Sequence, residues 1–543
     1  MTIRSLAAIL CLLAVGCPSG SGGGGIQRVE QARLVKVITA DDAKVLDPHV
    51  TSDGGNVKVI LQVYETLVRV DPDDVNELVP ALAERWEVAP DGLAITFHLR
   101  PDVTFHDGTP FDAAAAKLSL ERVRGQGFEL PSAPYAPEFA HVAGIEAADP
   151  KTLVVKLDAP VARVMLRNLS MFCASIVSPK VLDASRAGDR ASDAAAASDH
   201  VSKHAAGTGP FRVDAFDPSA KITRLVANSA YWGGEPQVQT LLFQPVADES
   251  SRYEHLQRSS DLLLVDEVPR QHWDAVEASD SLALHRVWGL NVAYLGIHAS
   301  HEATREPEVR RAIQLAIDRD KLLGHYEGTA RATYSLVAQP MGEYDPELRV
   351  EGWKDDPAAR IAAAKQLVAD AGATGREVTV YFPVQPRPYL PRPQDIADAV
   401  RQQLKAIGLD ARIQGEDKNK LFPGVPTGQY ELVLIGWMTD NGDPDNFYSP
   451  LADGSDGQPG ESNVSRVFDP EVHEKLLAAQ RLQDAGERVA AYREVERLLQ
   501  ERVRGYVPLV NTQQALGYSK RLEGLEIDPL GHYRFHRARV VEN

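Results

Sequence analysis

The sequence predicts an α/β protein. Two observations carry this. Helical and strand patterns alternate between residues 358 and 437, and elsewhere strict period-two segments accompany a helix whose apolar residues recur at i, i+3, i+4 and i+7.

In chain order, Leu93, Ile95, Phe97 and Leu99 alternate with Ala94, Thr96 and His98, the pattern of a half-buried strand. Asp91-Gly92 before it is a turn signal. A helix is expected at 112–122 and a short strand at 153–157. The Ala/Ser/Asp stretch 184–199 has little to bury and reads as a surface segment. Gly207-Thr208-Gly209-Pro210-Phe211 reads as a compact turn between lobes, with strands to follow near 222–226 and 241–246. Val309, Ala312, Ile313, Ala316 and Ile317 form one helix face, punctuated by Pro307 near its start and Gly324 near its end.

The alternating region comprises a helix at 358–371, a strand at 378–382, a helix at 396–407 stopped by Gly408, a strand through Leu409, Ala411 and Ile413, and an apolar strand at 432–437. Such alternation implies a lobe built on a largely parallel sheet. Ligands of such sheets sit beyond the carboxyl ends of the strands, which directs attention to the segment after Trp437. Helices at 471–483 and 487–503 complete this lobe.

The 543 residues carry a net charge of −18, with 44% hydrophobic and 25% charged residues. That is enough apolar material for a large core spread over two or three lobes. The acidic balance argues against a nucleic-acid partner. At the N-terminus, Arg4 precedes a short apolar run at 6–15, too short to span a bilayer and of signal-peptide length. Ala14-Val15-Gly16-Cys17 looks like a bacterial lipobox, which makes Cys17 the expected lipidated residue. Glycine and serine at 18–25 suit a flexible tether. Of the three cysteines, Cys11 falls in the removed segment and Cys17 carries lipid, so Cys173 alone remains in the body and no intrachain disulfide is expected. No later apolar run is long enough to cross a membrane.

Catalytic motifs are missing: no nucleophile elbow, no His-Glu-x-x-His, no phosphate-binding loop. Cys173 lies in an apolar run and reads as a core thiol. His298 with His301, and His532 with His536, have metal-ligand spacing but no third ligand nearby, and read as surface histidines. The acidic run 440–446 superficially resembles a calcium loop but lacks the distal Glu, and Pro444 disturbs its register. No metal, no cofactor and no enzymatic activity are expected.

Several blocks form an ordered set: Leu46-Asp47-Pro48-His49, Tyr64-Glu65-Thr66-Leu67-Val68, Leu82-Ala83-Glu84-Arg85-Trp86, Phe105-His106-Asp107-Gly108-Thr109-Pro110-Phe111, Gly207-Thr208-Gly209-Pro210-Phe211, Tyr231-Trp232-Gly233 and Val309-Arg310-Arg311-Ala312-Ile313. In that order and spacing they resemble the extracellular solute-binding proteins of the peptide/nickel class, which serve ABC importers. Pro383-Val384-Gln385-Pro386-Arg387-Pro388-Tyr389, the segment 436–447 and Asp528-Pro529-Leu530-Gly531 are similar to its dipeptide-binding branch.

The resemblance implies a two-lobed periplasmic-binding-protein clamp of type II with an extra domain. One lobe would comprise 29–56, 205–290 and 513–543, the extra domain 57–204 and the second lobe 291–512, after a signal at 1–16 and a tether at 17–28. It implies that Asp440 pairs with a ligand's α-ammonium and that Arg387 pairs with its carboxylate. Pro386 interrupts the family pattern there, and Arg392 is the fallback. Asp as a pure acceptor and Arg as a bidentate donor suit those two groups. Trp437 and Tyr389 would wall the site. Thr51, Ser52 and Gly209 would reach it from the other lobe, and read equally well as hinge and turn structure.

The implied function is that of a lipid-anchored, monomeric substrate-binding protein, periplasmic or at the cell surface. It would pass di- or short oligopeptides to an ABC permease and touch the membrane only through its lipid. The same fold leaves open glutathione, haem, a nickel chelate or an oligosaccharide as ligand. A cell-surface peptidase is the competing class.

Overall fold

The structure, a computed structural model, describes residues 33–258, 262–455 and 457–541. The expected signal, Cys17 and the tether lie outside the described residues.

One long sheet organises the chain. Its order is Asp410–Glu416, Glu377–Pro383, Leu432–Met438, Asn291–Ile297, Tyr506–Ser519, Leu262–Val265, Leu34–Thr39, Thr240–Pro245, Ile222–Ala227 and Phe211–Asp217, with Leu282–Trp288 and Ala330–Ala332 also pairing with Tyr506–Ser519. The 14-residue strand Tyr506–Ser519 belongs to both halves. It pairs with Asn291–Ile297 at one end (Gly296 opposite Tyr506) and with Leu282–Trp288 at the other (Trp288 opposite Gln513).

The chain passes between the halves at 289–291 and at 511–513, and side chains lash the two passages together. Asn511 Nδ2 donates to the carbonyls of Gly289 (2.6 Å) and Asn291 (2.8 Å). Asn291 Oδ1 accepts from Thr512 N–H (3.2 Å) and Thr512 Oγ1 (3.0 Å).

The half containing Asn291–Ile297 is mixed rather than largely parallel. Glu377–Pro383 runs parallel to both Asp410–Glu416 and Leu432–Met438, whereas Asn291–Ile297 is antiparallel to Leu432–Met438 and to Tyr506–Ser519. The helix Pro393–Ala406 supplies the crossover that a parallel neighbour needs. The two antiparallel strands arrive from distant parts of the chain, so local alternation says nothing of their direction. Asn291–Ile297 is buried at every position. Ala293, Leu295 and Ile297 pack with the helix Pro307–Ala316, while Val292 and Tyr294 face a second core containing Tyr492 and Val495.

Residues Ala83–Val88, Ala94–Leu99, Thr152–Leu157 and Val142–Asp149 form a separate antiparallel sheet in that order. Ile95, Phe97 and Leu99 are its buried face. The helix Ala113–Val123 starts where Asp112 accepts the Ala115 N–H. From it, Arg122 makes two 2.6 Å bonds to the buried Asp47, joining this sheet's helix to the 47–49 segment.

The 184–199 stretch is mostly surface but folded. The helices Pro179–Ser185 and Ala194–Lys203 occupy its ends, the latter capped by Asp193. The helix Pro307–Ala316 ends at Ile317, and Gly324 instead follows a short second helix, Arg319–Leu323. Cys173 is a buried free thiol. Among the described residues no helix is long and apolar enough to cross a membrane.

Candidate functional site

Glu377–Pro383 and Leu432–Met438 are parallel, so their carboxyl ends open on the same edge of the sheet. The first leads into the turn that carries Arg387 and Tyr389, the second into the 439–446 loop that carries Asp440.

Short polar side chains shape that loop. Thr439 Oγ1 accepts from the N–H groups of Asn441 (3.3 Å) and Gly442 (3.1 Å). Asn441 Oδ1 accepts from Asp443 N–H (2.9 Å), and Asp443 Oδ1 from Asp445 N–H (2.9 Å). Gly442 takes φ +70°, which favours glycine. The calcium-like pattern is thus a succession of side-chain-to-backbone turns leading into the helix Asp445–Ala452.

Two of the three acids are satisfied inside the protein. Asp443 pairs with Arg488 at 2.6 Å, both buried. Asp445 accepts from Gln480 Nε2 (2.9 Å) and Tyr492 OH (3.1 Å). Asp440 differs. Its Oδ2 accepts only the Tyr135 hydroxyl (3.2 Å), and no Lys or Arg pairs with it among the described residues. Burial pushes its carboxyl up to about 6, a rise that nearby His532 and the Tyr135 bond only partly offset.

Arg387 sits on a turn closed by two backbone bonds with Leu390 (3.0 and 2.8 Å). The ring of Tyr389 lies against the backbone of Gly436, where a Cβ would fall 2.5 Å from Tyr389 Cδ2. Glycine is required by that approach. The Pro388 carbonyl accepts Thr512 Oγ1 (3.0 Å), and the Tyr389 carbonyl accepts Tyr326 OH (3.3 Å), which tie the turn to the passage between the halves. The Arg387 guanidinium lies 5.8 Å from the centre of the Phe422 ring. Its Nε has no partner, and no acidic side chain pairs with it among the described residues. Arg392 is engaged by Glu327. Trp437 packs its body against the apolar cluster around Tyr294 and Ile435, while its indole N–H is unpartnered.

The candidates from the other half are internally engaged or exposed. Thr51 is buried, and its Oγ1 accepts from Asp53 N–H (3.2 Å) and Asn56 Nδ2 (2.6 Å) at the start of the helix Gly54–Val63. Ser52 is exposed. Gly209 donates its N–H to Val63 (3.0 Å), and its carbonyl accepts from His106 Nε2 (2.9 Å) and Asn228 Nδ2 (3.1 Å). A Cβ on Gly209 would fall 2.7 Å from the Gln62 carbonyl.

Sequence reasoning missed Tyr135, Glu138 and His532. No periodicity marks Tyr135 and Glu138, which lie in a Pro/Ala-rich stretch flanking the short 3₁₀ turn Ala136–Phe139. Tyr135 is held by an edge contact with Phe172, 5.3 Å between ring centres. The Glu138 carboxyl is pushed up to about 7 by burial and by Asp445, Asp440 and Asp443.

The paired histidines are not surface residues as expected. His298 is buried in an edge contact with His301, 4.7 Å between centres, and burial pushes it down to about 4. His532 lies 3.5 Å from Asp528 and His536 3.8 Å from Glu526, all largely enclosed. Among the described residues no three His, Cys, Asp or Glu side chains gather as a metal site.

Residues 77–459 match the family described as bacterial extracellular solute-binding proteins, family 5 Middle. The dipeptide-binding protein of Escherichia coli (strain K12) is 27% identical over 483 residues, covering 86% of each chain. The glutathione-binding protein of Pectobacterium atrosepticum is 25% identical over 508 residues, covering 92% of each. The periplasmic binding protein DppA from Helicobacter pylori, solved with the peptide STSA, superposes with a TM-score of 0.79 at 25% identity, covering 94% of this chain and 99% of that one. HbpA2 from Haemophilus parasuis superposes at 0.77 with 24% identity, over 94% and 100%. The first three of these are named as binding proteins. The chain belongs to the bacterial extracellular solute-binding proteins of family 5.

Proposed function

We propose that the protein captures di- or short oligopeptides for an ABC importer, pairing the ligand's ammonium with Asp440 and its carboxylate with Arg387. One observation carries the reading. Asp440 and Arg387 extend from neighbouring parallel strands, and among the described residues neither has an oppositely charged side-chain partner. A charge left without a partner in a partly buried site is costly, and a zwitterion supplies both missing charges. Arg387 is preferred to Arg392 because Glu327 already engages the latter. Tyr389 and Trp437 wall the site, and the unpartnered indole N–H can donate to a peptide carbonyl. Thr51 and Gly209 bond to the two ends of the helix Gly54–Val63, so their hydrogen bonds support structure first, and Ser52 is exposed.

Closure would occur about the two passages at 289–291 and 511–513, with 29–56, 205–290 and 513–543 as one lobe, 291–512 as the other and 57–204 as the extra domain. Cys17 would carry the lipid that holds a monomer at the membrane, beside the permease. A glutathione-binding relative keeps a second reading alive, since glutathione also offers an ammonium and carboxylates.

Native mass spectrometry of protein purified without added ligand, followed by calorimetry with Ala-Ala, a tripeptide and glutathione, tests the reading. Co-purified peptide and dipeptide binding support it. Glutathione binding alone shifts the ligand, and turnover of a peptide mixture would replace the reading with hydrolysis. Metabolic labelling with a fatty acid, lost in Cys17→Ala, tests the anchor.

A further inference from the structure

Tyr135 is the N-cap of the 3₁₀ turn Ala136–Phe139 and Glu138 lies within it, three residues on, a spacing that brings side chains to the same side of such a turn. Tyr135 gives its hydroxyl to Asp440. The Glu138 carbonyl accepts Asn168 Nδ2 (2.7 Å), and Asn168 Oδ1 accepts Asn441 Nδ2 (2.8 Å). The turn is therefore tied to the 440–446 loop at two consecutive residues, Asp440 and Asn441. This fixes the Glu138 backbone, and its carboxylate lies in the field of Asp445, Asp440 and Asp443.

The charges around that point do not balance. Arg488 answers Asp443, and its field also reaches Asp445, which Gln480 and Tyr492 bind. Asp440 and Glu138 have no Lys or Arg partner among the described residues. His532 faces Asp440 and is itself drawn to Asp528. An ordinary dipeptide brings one ammonium to two carboxylates.

We propose that Glu138 is a specificity-determining residue, which makes the amino-end subsite dianionic and selects peptides whose first residue has a cationic side chain. The inference rests on the peptide reading above, and deepens it. The ammonium meets Asp440, and the side-chain cation of residue one meets Glu138 across the same face. The crowding that pushes the Glu138 carboxyl up to about 7 is relieved by that second positive charge.

The test is calorimetry at about pH 8, where both carboxylates are ionised, using Lys-Ala, Ala-Lys and Ala-Ala on wild type and Glu138→Gln. Wild type binds Lys-Ala about tenfold tighter than the other two, the scale of one added charge pair in a partly enclosed site. Glu138→Gln binds all three alike, and a cooperative thermal melt of the variant reports a folded protein. Ala-Lys has the same net charge as Lys-Ala, so attraction to the acidic chain as a whole would raise both equally. The inference is overturned if wild type binds Ala-Ala as tightly as Lys-Ala, or if Glu138→Gln keeps the preference. If wild type binds none of the three, the peptide reading itself falls, a different result from binding without preference.

Discussion

Arg488 Nη2 and Asp443 Oδ1 form a buried pair at 2.6 Å, so Asp443 is satisfied inside the protein, whereas Asp440 in the same loop is bonded only by the Tyr135 hydroxyl among the described residues. Glu343 stands 3.6 Å from the other guanidinium nitrogen, so Arg488 is enclosed by acids and its own proton is held tightly. Asp443 also accepts the Asp445 N–H. The pair therefore braces the loop from which Asp440 projects.

Breaking the brace should cost stability and binding together. Arg488→Met leaves Asp443 buried without its cation, and a loss of about 3–5 kcal/mol is expected in urea unfolding. The exposed pair Lys156–Glu146 is the control, and Lys156→Ala should leave the unfolding midpoint nearly unchanged.

At the site itself, Asp440→Asn and Arg387→Ala should each weaken dipeptide binding by about a hundredfold or more, measured by calorimetry, without lowering the melting temperature. Arg392→Ala should leave affinity within about twofold, because it removes only a surface pair with Glu327. Equal losses in Arg387→Ala and Arg392→Ala would contradict the assignment of the carboxylate partner.

The pH dependence follows from Asp440, whose carboxyl is raised from 3.8 to about 6 in the folded chain. The ammonium needs the ionised form, so affinity should be full above about pH 7 and fall as pH drops through 6. His532, Tyr135 and Glu138 also face this carboxyl. For the free protein, a raised carboxyl means that the folded state holds its proton more tightly than the unfolded one. That unfavourable contribution is absent below 3.8, grows between 3.8 and 6, and is complete above 6. A ligand ammonium removes it, so the rise in melting temperature on adding dipeptide should be larger at pH 7.5 than at pH 5, and Asp440→Asn should abolish the difference.

Gly207 offers a packing test. A Cβ there would fall 2.1 Å from the Val63 carbonyl, so Gly207→Ala should destabilise by about 1–3 kcal/mol. Gly144 has nothing within 4 Å of the same position, and Gly144→Ala should change stability by less than about 0.5 kcal/mol. Thermal melts of the two variants make the comparison.

Much of the fold was legible because its helices and strands are strongly patterned. Of the period-two face, Ile95, Phe97 and Leu99 are buried as read while Leu93, just before the strand, is exposed, and the helical face of Val309, Ala312 and Ile313 is buried as read. Strand direction was not legible, because Asn291–Ile297 takes its neighbours from residues far away in sequence. The same limit applies at the site. Asp440 and Arg387 stand out in motifs, but what singles them out physically is the partners taken by others: Arg488 by Asp443, Arg392 by Glu327. Tyr135, Glu138 and His532 come to Asp440 only through tertiary folding, and no local spacing announces them.

The strand Tyr506–Ser519 also governs the order of events during synthesis. It is the shared neighbour of Asn291–Ile297 and Leu262–Val265, and it follows both in the chain by more than 200 residues. A growing chain without it keeps an open edge in each half, so neither core can seal early. Both halves therefore depend on this one strand to complete their sheets.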